Sequence, residues 1–307
     1  MAQSKFLNIL RYADVRQVVR AVPRNGRSVT IRAWRILRSS AYGFIEDEAL
    51  SRGAAIAFYT ATSIAPVMLI VVAIAGVAFG QDAAENAITG QLSSLMGDQT
   101  AQLVQTAVAS ASKKSSSTLA TFVGLVTLIL TASGVFGEMQ SALNAIWKAE
   151  PSGAALSRLI RARAVSLGLV AALGFLLLVS LVVSAMLTAF SNQLNAILPF
   201  GKLILSLLNL IVSFVLISIL FAAIYKILPD RPLAWRDVII GAVVTTLLFT
   251  IGKTLIAFYI GSSATVSSYG AAGALIAFLL WIYYSAQIFL LGAEFTKSYA
   301  RYRKTGQ

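Results

Sequence analysis

Residues 203–225 read LILSLLNLIVSFVLISILFAAIY, a run from Leu203 to Tyr225 without one charged side chain. A helix needs about 20 such residues to cross the hydrocarbon of a bilayer. Four more charge-free runs surround it: Gly53–Gln81, Ser115–Gly137, Ala164–Gly201 and Thr254–Ala293. The 307-residue chain is 58% hydrophobic and 12% charged, with a mean hydropathy of +0.79. A soluble domain carries about 25% charged residues, so this chain cannot coat a soluble surface. The fold class that follows is all-α, a polytopic membrane protein.

Turn signals divide the runs into six spans near 54–80, 118–140, 164–190, 203–226, 238–260 and 271–296. Ser191, Asn192, Asn195 and Pro199-Phe200-Gly201 make one break; Gly261-Ser262-Ser263 through Gly270 makes another. Three regions result: a basic segment 1–53, a transmembrane domain 54–297 with an external loop 82–117, and a basic tail 298–307. Ile88, Leu92, Leu95 and Met96 have helical spacing, so the loop is expected to form a short helical hairpin. No secretory signal is visible, since the first apolar run begins far behind the basic segment.

The loops on alternate sides differ sharply in charge. Those before span one, after span two, before span five and after span six hold 21 of the 25 Lys and Arg. Basic loops stay in the cytoplasm, so both termini are expected there. The net charge of +13 is then an orientation signal, and no nucleic-acid partner is expected. Ile31, Trp34 and Leu37 form an apolar stripe beside Arg32, Arg35 and Arg38. Such a helix either lies among anionic headgroups of the inner leaflet or packs under the bundle.

Absences restrict the chemistry. Without His or Cys there is no HExxH site, no Ser-His-Asp triad, no thiolate metal site and no disulfide. Gly252-Lys253-Thr254 has the tail of a P-loop, but Leu247 stands where its first glycine belongs. Asp14, Asp47, Asp82, Asp98, Asp230 and Asp237 all fall outside the spans, which excludes an intramembrane aspartyl protease. No cofactor, metal or catalytic residue is expected.

A charge at the bilayer centre costs roughly 2.5–3.5 kcal/mol, which singles out three residues. Glu138 lies about 13 Å inward of the Trp147-Lys148 anchor if the helix continues through Leu143 and Ile146. Glu294 either pairs with Lys297 at the headgroups or serves a substrate path with Glu138. Lys253, in the outer half of span five, either snorkels outward or offers a counter-charge. Pro66 should kink span one by freeing the carbonyl of Thr62, a break that Thr62 and Ser63 can re-satisfy. Gly134 with Gly137, and Gly270 with Gly273 and Ala274, would allow close helix contact.

Several of these stretches together resemble the YihY/BrkB family of bacterial inner-membrane proteins. They are Ala54-Ala55-Ile56-Ala57-Phe58-Tyr59-Thr60 with Ser63 and Pro66, Ala142-Leu143-Asn144-Ala145-Ile146-Trp147, and Leu228-Pro229-Asp230-Arg231 with Trp235-Arg236-Asp237-Val238. The most specific block is Tyr269-Gly270-Ala271-Ala272-Gly273-Ala274, Leu280-Trp281-Ile282-Tyr283-Tyr284 and Leu291-Gly292-Ala293-Glu294. The resemblance spans roughly residues 40–300 and implies six helices in the inner membrane. Names in the family run from virulence factor to an old ribonuclease BN label, and lipid export has been suggested for members. The nuclease label conflicts with a chain that has no His, no Cys and no dense acidic cluster.

The expected function is therefore a transporter or flippase for an amphipathic, lipid-like or anionic substrate. The alternative is a non-catalytic scaffold or envelope-assembly partner, which could act as a homo-oligomer. Candidate substrate-path residues are Glu138, Lys253, Glu294, Asn144, Tyr59, Ser63, Pro66 and Gln287.

Overall fold

The computed structural model describes residues 24–63, 134–149, 201–262 and 271–305, with isolated positions between 80 and 106 and at 168. Six helices lie in these stretches: α1 (Arg24–Glu46), α2 (49–63), α3 (134–147), α4 (Gly201–Ile227), α5 (Trp235–Ser262) and α6 (Ala271–Thr305). No strand occurs among the described residues. Helices α4, α5 and α6 coincide with the last three expected spans. Each contains a stretch long and apolar enough to cross a membrane: Leu207–Ile227, Trp235–Ile256 and Leu275–Lys304. Helix α2 overlaps the start of span one, and α3 the end of span two. Span 164–190 apart from position 168, Pro66 and most of the loop 82–117 fall outside the described residues.

The two faces of α5 explain why it belongs in lipid. Ile239, Val243, Leu247, Ile251 and Leu255 recur every four residues and are all exposed. The α4 residues Leu207, Ile211, Val215 and Ile219 follow the same rule. An exposed aliphatic stripe of this length is foreign to soluble monomers. The inward face of α5 is made of small and hydroxyl-bearing residues: Gly241, Ala242, Thr245 and Thr246 are buried.

Lipid tails are as apolar as leucine, so close packing and hydrogen bonds must hold such helices together. At Gly241 an added Cβ would lie 1.8 Å from the Thr296 hydroxyl, and at Gly292 it would lie 1.9 Å from that of Thr245. Helices α5 and α6 thus interlock reciprocally, each glycine receiving a threonine of the other. The threonine hydroxyls are satisfied within their own helices, Thr245 on the Gly241 carbonyl at 2.7 Å and Thr296 on that of Gly292 at 2.7 Å. Helix α4 joins through Tyr225, whose hydroxyl donates to the Phe289 carbonyl at 2.7 Å and meets Thr245 at 3.1 Å. Ser218 adds a bond to Thr246 at 3.0 Å. Tyr225 stacks on Phe289 with ring centroids 5.3 Å apart, and Phe221 packs edge-on to Phe249.

Helix α1 packs along α6 through Ile36, Ser40 and Gly43, while Trp34 and Leu37 stay exposed beside Arg32 and Arg35. One face of α1 thus lies against the bundle and the apolar–basic stripe remains outside. Gly43 lets α1 approach until an added Cβ would come within 2.2 Å of the Glu294 carboxylate. Ser298 donates to Ser39 at 3.1 Å across the same contact.

Candidate functional site

The site grows from the way α3 ends. Lys148 takes a left-handed conformation (φ 49°), and the Ala149 amide bonds the Asn144 carbonyl at 2.8 Å while the Lys148 amide bonds that of Ala145. This is a Schellman stop, whose left-handed position usually belongs to glycine. A lysine here aims its side chain across to the turn between α1 and α2. There Glu48 is also left-handed (φ 55°), and the Asp47 carboxylate accepts the Lys148 ammonium.

Asp47 is the hub of a four-charge cluster. Its carboxylate also takes Lys297 of α6 at 2.7 Å, and Lys297 lies 3.1 Å from Glu294. The Asp47 side chain is 2% exposed and that of Glu294 0%. Burial raises the Asp47 carboxyl, but its hydrogen bonds with Glu294, Lys148 and Lys297 and the Lys297 charge outweigh burial. The group is held below its ordinary value of 3.8. The bond to Asp47 raises the Lys148 ammonium, with burial opposing it. The hydrogen bond between the Asp47 and Glu294 carboxyl groups requires a proton on one of them. Each further proton gained or lost changes the charge set against Lys297, which is 12% exposed, and Lys148, which is 62% exposed.

Beside this cluster, α3 grips the turn between α4 and α5. Asn144 donates to the Asp230 carboxylate at 2.7 Å and accepts the Asp230 amide at 2.9 Å; Gln140 adds contacts at 3.2 and 3.3 Å. Arg231 donates to the Trp147 carbonyl at 2.8 Å. Asp237, in the first turn of α5 where a helix favours negative charge, is held by Arg303 of α6 at 2.8 and 2.9 Å. The α1–α2 turn, the α3 terminus, the α4–α5 turn and the end of α6 thus meet at one basic end.

Two cavities flank Lys148. An open cleft of about 330 Å³ is lined by Glu46, Asp47, Arg52 and Asn144 among others. A second, of about 290 Å³, lies between Trp147, the α4–α5 turn and the last turns of α6. Among the described residues no group of three or more acidic side chains could hold a metal ion.

Of the expected path residues, Glu294 and Asn144 fall in this junction. The Glu294–Lys297 pair exists, but the glutamate is enclosed against Gly43 rather than exposed. The carboxylate facing Glu294 is Asp47. Helix α3 does run unbroken through Glu138, which is half-buried and about 15 Å along the helix from Lys148. Gln287 reaches the Leu50 carbonyl at 3.3 Å and fills the space left by Gly53 of α2. Tyr59 packs against Gly134 of α3, whereas Gly137 faces open space. The Thr62 and Ser63 hydroxyls bond carbonyls of Phe58, Tyr59 and Thr60, one turn earlier. Lys253 is half-buried and pairs with no carboxylate among the described residues. Asp47, Lys148, Asp230 and Asp237 were not read as site residues from sequence. The signal that could have found them is their position beside helix ends that carry the recognised motifs.

Comparison with known proteins places the chain. The family described as Virulence factor BrkB matches residues 40–307. The UPF0761 membrane protein of Mannheimia succiniciproducens is 28% identical over 88% of this chain and 91% of its own length. The UPF0761 membrane protein YihY of Escherichia fergusonii is 33% identical over 69% of this chain and 68% of its own. That of Ralstonia nicotianae is 34% identical over 56% of this chain. The chain spans about two fifths of the length of three such relatives, from Ralstonia, Halorhodospira and Nitrosospira. No solved structure matches. With helices built for lipid and a match from residue 40 to its last residue, this chain belongs to the BrkB virulence-factor family of membrane proteins.

Proposed function

We propose that this protein is a non-enzymatic carrier of the bacterial inner membrane, a transporter or flippase for an amphipathic, anionic substrate. It crosses the membrane six times with both termini in the cytoplasm, and α1 rests its Trp34–Leu37 stripe among anionic headgroups. The observation that carries this reading is the enclosed pair Asp47 and Glu294, bridged by Lys297. Replacing a buried ion cluster by apolar residues often stabilises a protein, so a passive bundle gains little from keeping one. A carrier gains a switch: a proton joining or leaving the pair changes the charge of the cluster and so the hold of α6 on the α1–α2 turn. The interlocked α4–α6 packing would also suit a scaffold, which needs rigidity and no switch.

Reconstitution separates the two. Proteoliposomes holding fluorescent phosphatidylglycerol are treated with dithionite, and the fraction of probe reaching the outer leaflet is followed. The carrier reading expects faster exchange than in protein-free vesicles. Exchange equal to the protein-free rate, for this lipid and for anionic detergent-like probes, leaves the scaffold.

A further inference from the structure

The 290 Å³ cavity at the basic end has a chemistry of its own. Lys148, Arg231, Lys297, Arg301 and Lys304 line it, against one carboxylate, Asp237. That carboxylate is already neutralised by Arg303, and Lys148 and Lys297 share Asp47 and Glu294. Arg231 and Lys304 have no carboxylate partner among the described residues, so the cavity keeps an excess of positive charge. Arg231 and Lys304 are both exposed, and a cationic ring whose neighbouring carboxylates are already paired favours an oxyanion. The exposed Pro232 beside Leu233 offers apolar surface to a carbon chain.

We propose that this cavity is a binding site for a phosphate ester, its oxygens taken by Arg231 and Lys304. The ester is carried either by an anionic lipid headgroup or by a soluble molecule. The inference rests on the cavity alone and holds for a carrier or a scaffold, since a scaffold also keeps structural lipids.

The test titrates the full chain, purified in a neutral detergent, with dioleoylphosphatidylglycerol and separately with glycerol 3-phosphate. Binding is read by native mass spectrometry and by thermal stabilisation. Each interfacial cation contributes about a five-fold factor in affinity. Lys304→Gln is therefore expected to weaken binding about five-fold, and Arg231→Gln with Lys304→Gln about twenty-fold or more. Arg236→Gln, an exposed cation of α5 that does not line the cavity, is the control and should leave affinity unchanged. Should Arg231→Gln fail to fold, Lys304→Gln alone still decides. Loss with phosphatidylglycerol only assigns the site to a lipid, and loss with glycerol 3-phosphate as well assigns it to soluble esters too. Equal affinity in wild type and Lys304→Gln, an equal loss in Arg236→Gln, or no binding of either probe overturns the proposal.

Discussion

Asp47 is the residue on which the basic end turns. Removing one partner of a buried ion cluster costs about 3–5 kcal/mol, whereas an exposed partner contributes about 1 kcal/mol or less. Asp47→Asn is therefore expected to destabilise the detergent-solubilised protein by about 3 kcal/mol, and Lys148→Gln by under about 1. Equal losses in thermal unfolding would contradict this ranking. The pH dependence follows from the directions of shift. Asp47 is held below its ordinary value, so its contribution is complete above pH 3.8 and fades as pH falls through the lowered folded value. Lys148 is raised, so its contribution is complete below pH 10.5 and fades as pH rises through the raised one. Stability curves of wild type minus Asp47→Asn should narrow on the acid side, and those of wild type minus Lys148→Gln on the alkaline side. Flat difference curves would deny the coupling. Glu294 stood out in the sequence because it interrupts a long apolar run. Asp47 did not, because a carboxylate in a turn looks solvated until α1, α3 and α6 are seen to close over it.

Helix packing was less legible than helix position. Charge-free runs located α4 and α5 almost to their ends, whereas α6 runs past its expected end at 296 to Thr305. Glycine spacing was only a partial guide to contacts: Gly134 meets Tyr59, but Gly137 meets nothing, and the closest approaches among the described residues are at Gly241, Gly292 and Gly53. Spacing within one helix cannot say which face a neighbour covers. Gly241→Ala puts a Cβ 1.8 Å from the Thr296 hydroxyl, and overpacking of this kind costs about 1–3 kcal/mol. Thr296→Ala removes the nearest atom but keeps a Cβ at 2.8 Å, so the double variant should regain part of that loss. At Gly137 an alanine meets nothing within 4 Å and gains up to about 1 kcal/mol of helix propensity. If both glycine variants had the same unfolding midpoint, the interlock of α5 and α6 would carry no weight.

For the whole molecule, the basic end is the cytoplasmic one in this account. Single cysteines at Ser94 and Ser157 of the Cys-free chain place the two sides. An impermeant thiol reagent should label Ser94→Cys in spheroplasts and miss Ser157→Cys; the opposite pattern would invert the protein. With that orientation, the Asp47–Glu294 cluster and both cavities face the cytoplasm, where the proposed carrier would take up substrate and release a proton. The most direct measurement is gradient-driven movement of fluorescent phosphatidylglycerol in proteoliposomes, comparing wild type with Glu294→Gln at equal amounts of folded protein. Wild type should respond to an imposed pH gradient, and Glu294→Gln should exchange lipid at a rate the gradient no longer changes. Full gradient response in Glu294→Gln, or none in wild type, would contradict the proposed switch.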